Sequence, residues 1–191
     1  MGAIYNMPRV LTVTGKLDVQ KLESALKQVI QRHESLRTSF HMMEDQPVQE
    51  IHDYVEFNIE WYDLDADLLR QTRTFIRPFD LSKAPLLRVE LMEMSEQKWM
   101  VLFDMHHIIA DGTSMGILIK EFSRVYNGEA EQLPGLRIQY KDFAVWQNNL
   151  FQSGKIKTQE NYWFKQFQDR GNIPLLDLPT DFPRPEVLSF E

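Results

Sequence analysis

The spacing of apolar residues predicts both strands and helices in the first third of the chain. Residues 9–15 alternate and are rich in β-branched side chains, which is typical of a strand. The next apolar positions recur at helical spacing, so we expect a helix over residues 18–33, with Asp18 as its N-cap. Those positions are Val19, Leu22, Ala25, Leu26, Val29 and Ile30.

The middle of the chain has mainly the period of strands. Residues 39–43 and 48–51 flank a polar turn at 44–47, which predicts a hairpin. Further along we expect a strand over 57–61, a helix over 65–76, and strands over 87–94 and 98–105 that are joined by residues 95–97. The second strand of that pair leads directly into two histidines.

The last third is predicted to be helical before it becomes rich in proline. We expect a helix that is capped by Thr113 or Ser114 and runs to about Tyr126, then helices over 139–152 and 155–169. Residues 173–191 carry four prolines and are typical of a linker or an extended crossover. Hairpins without a regular βαβ alternation favour an α+β fold, a two-layer sandwich of a mixed β-sheet and helices.

Charge and composition limit the possible partners and chemistry. The formal charge of −7 argues against nucleic acid or an anionic membrane as a partner, and no apolar stretch is long enough to span a membrane. The chain begins without a secretion signal, so we expect a cytoplasmic location. Its 191 residues include no cysteine, which excludes a cysteine nucleophile, so the thiol of any thioester chemistry must come from a partner.

The segment from Met105 to Gly112 carries the candidate chemistry. Adjacent side chains on a strand point to opposite faces, so only one of His106 and His107 can easily face a given cavity. This spacing argues against a metal site that uses both histidines. It predicts one working imidazole and one structural imidazole at the end of the strand, where a loop can expose the working one.

Asp111 and Gly112 complete this segment. Asp111 could orient an imidazole, or it could pair with an arginine and brace the loop. Gly112 fits a position that needs a positive φ or a close approach of the backbone. A histidine near a strand end is also a common structural residue, so the pattern alone leaves a catalytic and a structural interpretation about equally open.

Three segments together resemble the condensation domains of nonribosomal peptide synthetases. Arg32 to Phe40 resembles the second core motif of that family, Met105 to Ser114 resembles its active-site motif, and Tyr140 to Trp146 resembles its fourth motif. The family usually has Ser where Ala110 stands, and Trp or Val where Thr113 stands. Neither change removes a group that is expected to do chemistry.

The resemblance implies a chloramphenicol-acetyltransferase-like fold and formation of a peptide bond. The family's first and last motifs are not in this sequence. We therefore expect residues 1–170 to be the N-terminal lobe of such a domain, and the Pro-rich tail 171–191 to lead to a C-terminal lobe. The partners that the resemblance implies are that lobe, donor and acceptor peptidyl carrier domains and an adjacent adenylation domain. This chain is expected to bind no cofactor, because the carriers supply the phosphopantetheine arms.

The resemblance also implies residue roles. His107 contacts the attacking amine, either as general base or as a group that positions the amine or stabilises developing charge. The predicted catalytic group comprises His107, His106, Asp111 and Gly112, and within it we expect a structural more than a catalytic role for His106. Asp111 forms a salt bridge for which Arg32 and Arg37 are the candidates, so its loss should damage the fold. Gly112 lets the backbone of a substrate tunnel approach the substrate.

Related functions on the same fold remain as alternatives. Cyclising relatives replace the first histidine with Asp, and recruiting relatives commonly lose the second, so His106 and His107 argue against both. Epimerising relatives retain the pair, and they differ mostly in segments outside this sequence. A lobe on its own is also expected to be inactive or to associate with itself, because half of the tunnel wall would be missing.

Overall fold

A mixed four-stranded sheet forms the centre of the structure. The computed structural model describes residues 2–62, 74–168, 178–179 and 181–183. The strands of this sheet are β1 (Arg9–Thr14), β4 (Glu60–Tyr62), β5 (Leu87–Ser95) and β6 (Lys98–Met105), and their order across the sheet is β1-β6-β5-β4. The pairs β1–β6 and β5–β6 are antiparallel, whereas β4 pairs with β5 in parallel. The prediction of an α+β fold with a mixed sheet is confirmed.

The described residues also form a hairpin and several helices. Strands β2 (Thr38–Met43) and β3 (Gln46–Ile51) form a separate two-stranded sheet. The helices are α1 (Val19–Arg32), α2 (Gly112–Tyr126), α3 (Tyr140–Gln152) and α4 (Lys157–Gln166), and short 3-10 turns lie at Glu34–Arg37 and Ala130–Gln132. None of the described helices is both long and apolar enough to cross a membrane.

The hydrophobic core lies between one face of the sheet and the helices α1 and α2. Asp18 begins α1 as predicted, because its Oδ1 accepts a hydrogen bond of 2.9 Å from the backbone N–H of Lys21. The helix then buries one apolar stripe against the sheet. The buried members of the core from these elements are Leu22, Ala25, Val29, Ile30, Leu87, Val89, Leu91, Val101, Met105 and Val125.

The β2–β3 hairpin and strand β4 have different bounds from those that the sequence predicts. The hairpin turn contains only Glu44 and Asp45, both at positive φ, as in the tight turns that suit twisted strands. Pro47 therefore lies within β3, where a two-stranded hairpin leaves one edge that needs no N–H donor. Phe57 and Ile59 are buried, as their alternation suggests, but they precede β4. At these two positions the alternation therefore reflects burial of the side chains without strand pairing.

The chain divides into two compact units, Met1–Ala144 and Val145–Glu191. The first contains the sheet, the hairpin, α1 and α2. In the second, the aromatic rings of Trp163 and Phe167 stack with centroids 6.0 Å apart, although both side chains are exposed. The predicted helix over 65–76 and the tail 171–191 fall almost entirely outside the described residues, and the lobe boundary at residue 170 remains a prediction.

One buried carboxyl lies on the face of the sheet opposite the helices. Glu90 on β5 is paired in register with Glu60 on β4, and Arg77 reaches both carboxylates, at 3.7 and 3.4 Å. Burial and the neighbouring Glu60 raise the pKa of Glu90 to about 7, against the opposing charge of Arg77. The folded state therefore binds a proton here that the unfolded chain has already released near neutral pH.

This carboxyl predicts a pH dependence of stability. The pKa of Glu90 is raised on folding, so its stabilising effect is complete below about pH 4.5 and is lost as the pH rises through about 7. We expect Glu90→Gln to reduce the fall in the free energy of unfolding between pH 5 and pH 8 by about 1–3 kcal/mol. Urea denaturation at the two pH values measures this. Glu93→Gln, at an exposed position of the same strand, is the control and should leave the fall unchanged.

Candidate active site

The segment 106–110, called here the histidine turn, follows β6 directly. Its first residues are hydrogen-bonded to the N-terminal segment at residues 5–7. Met105, the last residue of β6, is buried in the core, and its carbonyl accepts a hydrogen bond of 2.8 Å from the N–H of Met7. His106 forms an isolated β-bridge with Asn6, and the N–H of His107 donates to the carbonyl of Tyr5 at 2.8 Å. The backbone at both histidines is therefore fixed by ordinary strand-like pairing.

His106 occupies an enclosed, largely aromatic position. Its ring centroid lies 6.1 Å from those of both Tyr5 and Phe79. The backbone N–H of Ile108 donates to His106 Nδ1 at 3.1 Å, so the neutral ring with its proton on Nε2 fits the hydrogen bonding. Burial lowers the pKa of His106, with Asp104 opposing this and His107 adding to it. A neutral imidazole that braces the turn agrees with the structural role expected for His106.

His107 faces away from this enclosure and is exposed on a cavity of about 360 Å³. His106 is not among the residues that line this cavity, which agrees with the expectation that only one of the two rings faces a given cavity. The cavity has walls from the histidine turn, the start of α2, the β2–β3 hairpin and the first residue of α3. Its lining residues are Ser35, Thr38, Phe40, Gln49, His107, Ile108, Ile109, Ala110, Asp111, Ser114 and Tyr140.

Asp111 corrects the sequence prediction. It forms a salt bridge with neither Arg32 nor Arg37; instead it is the N-cap of α2, in the place expected for Thr113 or Ser114. Its Oδ1 accepts hydrogen bonds from Ser114 Oγ at 2.6 Å and from the backbone N–H of Ser114 at 2.8 Å. The bonds from Ser114 lower the pKa of Asp111. Because the side chain is exposed, a local cap satisfies the carboxylate without a distant arginine.

Gly112 also differs from expectation within this chain. It is the first residue of α2, and its φ angle is not positive. A Cβ atom at this position would contact nothing within 4 Å beyond its chain neighbours and the backbone of its own helix. The backbone conformation therefore does not require glycine. Close approach of a substrate to Gly112 stays a prediction.

The two arginines of the second motif brace the elements around the site. Arg32 binds Glu121 of α2, with Nε to Oε2 at 2.8 Å, and donates to the carbonyl of Pro134 at 2.6 Å, while His33 Nε2 lies 2.7 Å from the same carboxylate. Burial opposes ionisation of Glu121, but the bonds from Arg32 and His33 prevail and lower its pKa. This cluster joins the end of α1 to α2.

Arg37 acts on the hairpin side of the cavity. Its guanidinium lies 3.7 Å from the carboxylate of Glu34 and donates to the carbonyl of His52, just beyond β3. The prediction that Arg32 and Arg37 support the site therefore rests on contacts with elements around the cavity, and not on Asp111.

A buried polar group that the sequence pattern did not predict lies directly before the histidines. Asp104 is fully buried, and its Oδ2 accepts a 2.7 Å hydrogen bond from Asn6 Nδ2 and lies 3.8 Å from Arg88 Nε. Burial is the main cause that raises the pKa of Asp104, against Asn6 and Arg88. Arg88 also stacks on Phe79, 3.6 Å from the ring centroid. The sequence does contain a hint of this pair, because Arg88 lies in one predicted apolar strand and the oppositely charged Asp104 lies in the next.

Among the described residues, no group of three or more His, Asp or Glu side chains is placed to hold a metal ion. The chemistry that this site offers is that of an exposed imidazole on a rigid turn. Such a group can accept, hold or position a proton at the edge of the cavity.

A family model described as condensation domain matches residues 1–191, the whole length of the chain. The chain belongs to the condensation-domain family. Gramicidin S synthase 2 of Aneurinibacillus migulanus is 52% identical over 192 residues, and tyrocidine synthase 3 of Brevibacillus parabrevis is 48% identical over 191. All of this chain is covered in both cases, but only 4% and 3% of those relatives.

Solved condensation-domain structures share the fold. The X-domain from teicoplanin biosynthesis superposes with a TM-score of 0.73 at 29% identity, covering 95% of this chain and 42% of that one. The cyclization-docking bidomain of EpoB from Sorangium cellulosum gives a TM-score of 0.74 at 26% identity, covering 86% of this chain and 34% of that one. The chain thus spans less than half of either solved relative. The chloramphenicol-acetyltransferase-like fold expected from the sequence is confirmed.

The buried pair in the sheet predicts an asymmetric response to mutation. Arg88→Met leaves the buried Asp104 without its cation, so we expect a loss of about 3 kcal/mol or more in the free energy of unfolding. The double variant Arg88→Met/Asp104→Leu should recover part of that loss, because no buried charge is left unpaired. Urea denaturation measures both, with Arg9→Ala on the exposed edge strand as the control. Equal losses in the single and double variants would contradict the pairing.

The cap of α2 predicts a different ranking at Asp111. Asn is as good an N-cap as Asp, so Asp111→Asn should keep the melting temperature within about 1 °C of wild type, whereas Asp111→Ala should lower it by about 2–4 °C. Thermal melts followed by circular dichroism measure this ranking. If Asn were as damaging as Ala, a charge pair and not the cap would be the main contribution of Asp111.

Proposed function

We propose that this chain is the N-terminal lobe of a condensation domain that forms peptide bonds within a nonribosomal peptide synthetase. The observation that carries the proposal is the exposed imidazole of His107 on the cavity, in a chain that matches the condensation-domain model throughout. Gramicidin S synthase 2 and bacitracin synthase 2, both named as synthases, are 52% and 46% identical to it. In this proposal residues 1–170 form the lobe and the tail leads to the second lobe.

In the reaction, the amine of an acceptor aminoacyl thioester attacks the carbonyl carbon of a donor thioester. The new C–N bond forms, the C–S bond breaks, and the donor arm leaves as a thiol. The proton lost by the attacking nitrogen must reach that sulfur. His107 can accept this proton and return it to the thiolate, or it can hold the amine in line while solvent carries the proton.

The partners in this proposal are the carriers of the two thioesters and the neighbouring synthetase domains. Donor and acceptor carrier domains bring phosphopantetheine arms to the cavity, an adenylation domain lies adjacent, and the C-terminal lobe closes the tunnel. The absence of cysteine from the chain is compatible with direct transfer between two arms, without an acyl enzyme.

A second candidate is recruitment of a partner protein without catalysis. The observation in its favour is the likeness to the teicoplanin X-domain, which has been solved in complex with OxyB. His107 argues against this candidate here, because recruitment needs no imidazole on a cavity. An assay of dipeptide formation with loaded carriers separates the catalytic from the recruiting function, since a recruiting domain gives no peptide product with any carrier pair.

The decisive experiment replaces His107 in the complete condensation domain that contains this chain. With an aminoacyl-loaded donor carrier and an acceptor carrier, we expect His107→Ala to lower dipeptidyl thioester formation about 100-fold or more, because an acid–base group is lost. Mass spectrometry of the carriers measures the product. The fold should be unchanged, because the ring is exposed on the cavity.

Two controls accompany this variant. Glu93→Ala, at an exposed position of β5 outside the cavity lining, should retain wild-type turnover. His107→Gln keeps a hydrogen-bonding side chain without a base, so substantial activity in that variant would assign a positioning role to His107. Wild-type turnover in His107→Ala would remove His107 from the mechanism.

A further inference from the structure

The wall of the cavity that faces His107 includes one face of the β2–β3 hairpin. Phe40 on β2 is paired in register with Gln49 on β3, and residues opposite each other in a sheet share a face. Thr38, two residues before Phe40, shares that face as well. All three line the cavity, and the proton transfer described above uses none of them.

The hairpin is held so that this face stays toward the cavity. On its other face the hydroxyl of buried Ser39 lies 2.8 Å from His52 Nε2 and 3.0 Å from His41 Nε2. At its base, Thr38 Oγ1 donates to the carbonyl of Glu34 at 2.7 Å, and the N–H of Phe40 donates to the carbonyl of Leu81 at 2.8 Å. A wall fixed at both its base and its back can discriminate between substrates by shape and charge.

Among the carboxylate, Lys and Arg side chains, only a carboxylate contributes charge to the described lining of the cavity. It contains the rings of Phe40 and Tyr140 and the amide of Gln49, together with the carboxylate of Asp111. The bonds from Ser114 lower the pKa of Asp111, so that carboxylate is charged near neutral pH. No Lys or Arg is among the described residues that line the cavity. An acidic group placed here would meet a like charge without a fixed cation to offset it.

An acceptor whose α-amine lies at His107 can place its side chain in this cavity. Only Cα separates the nitrogen from Cβ, so the side chain begins about 2.5 Å from the nitrogen. The volume of about 360 Å³ lies in the range of small-molecule sites, which is large enough for an amino-acid side chain.

We propose that this cavity receives the side chain of the acceptor amino acid, and that its wall of Phe40, Gln49 and Tyr140 selects uncharged side chains over acidic ones. This inference rests on the proposed peptide-bond-forming function. It assigns a specificity role to the β2–β3 hairpin, and Gln49 is the position at which charge selection can be changed.

The test compares two acceptors of nearly equal shape. Glutaminyl and glutamyl acceptor carriers are offered to the complete condensation domain that contains this chain, and kcat/KM is measured for each. We expect the wild type to favour glutaminyl about tenfold or more, which corresponds to about 1.4 kcal/mol. Gln49→Lys should lower that ratio about tenfold, by supplying a cation to the cavity wall.

Gln46→Lys is the matched control, because it makes the same change on the same strand at an exposed position outside the cavity lining. It should leave the ratio as in the wild type. Gln49→Glu is the second variant, which should raise the preference for glutaminyl further and guards against a folding defect caused by the lysine. Thermal melts of all three variants confirm that they are folded.

The outcomes separate the two proposals. Dipeptide formation with equal ratios in wild type, Gln49→Lys and Gln46→Lys would overturn the side-chain site while leaving peptide-bond formation intact. No dipeptide from the wild type with either acceptor, or with a panel of uncharged acceptors, would overturn the proposed function and the site with it.

Discussion

The placement of the histidine turn depends on the buried pair of Arg88 and Asp104. Asp104 lies on β6 two residues before His106, and Arg88 is its partner in register on β5. A buried ion pair contributes little net stability, because desolvation offsets most of the attraction. The pair does determine how β5 and β6 align, because a slip of the pairing by one residue would move both charges into the apolar core. The register of β5 and β6 is thereby fixed where β6 must end.

The register of β5 and β6 also determines which segments contact the histidine turn. Asn6 binds Asp104 and brings the N-terminal segment alongside His106 and His107, so the turn gains backbone partners on both sides. Phe79 contacts both the guanidinium of Arg88 and the ring of His106. The same network that pairs Oδ2 of the buried carboxylate therefore partly encloses the first histidine and leaves the second exposed. Pre-organisation of His107 follows from the contacts of this buried group.

The sequence predicted most of the elements because their patterns are local. The amphipathic period of α1 and the apolar strands β5 and β6 depend on which face is buried, and the structure has all three close to the predicted residues. Strand β1 also lies where its alternation predicts it, although its side chains are exposed except for the half-buried Val13. The prediction that only one of His106 and His107 faces a given cavity followed from the alternation of side chains along a strand. What failed at Asp111 was the choice of partner, since a carboxylate before a helix has a local way to be satisfied that competes with any distant arginine.

The remaining features of the site could not be predicted because they depend on distant segments. Asn6, Arg88 and Asp104 come together only when the N-terminal segment and two strands have paired. The cavity wall at Gln49 depends on a hairpin whose turn was predicted to be longer than it is. Spacing within one segment carries no information about such meetings, although an opposite charge in each of two adjacent apolar strands does suggest a buried pair.

The chain thus separates two tasks between the two sides of the histidine turn. One side contains the buried ion pair of Asp104 and Arg88 and the half-buried ring of His106, and these contacts fix the backbone. The other side is open, and it presents His107 to a cavity whose far wall belongs to a separate two-stranded sheet. Because that hairpin is outside the central sheet, its cavity face can change in size and charge without altering the register that positions His107. A fold arranged in this way can keep one chemistry while it varies the residue that it accepts.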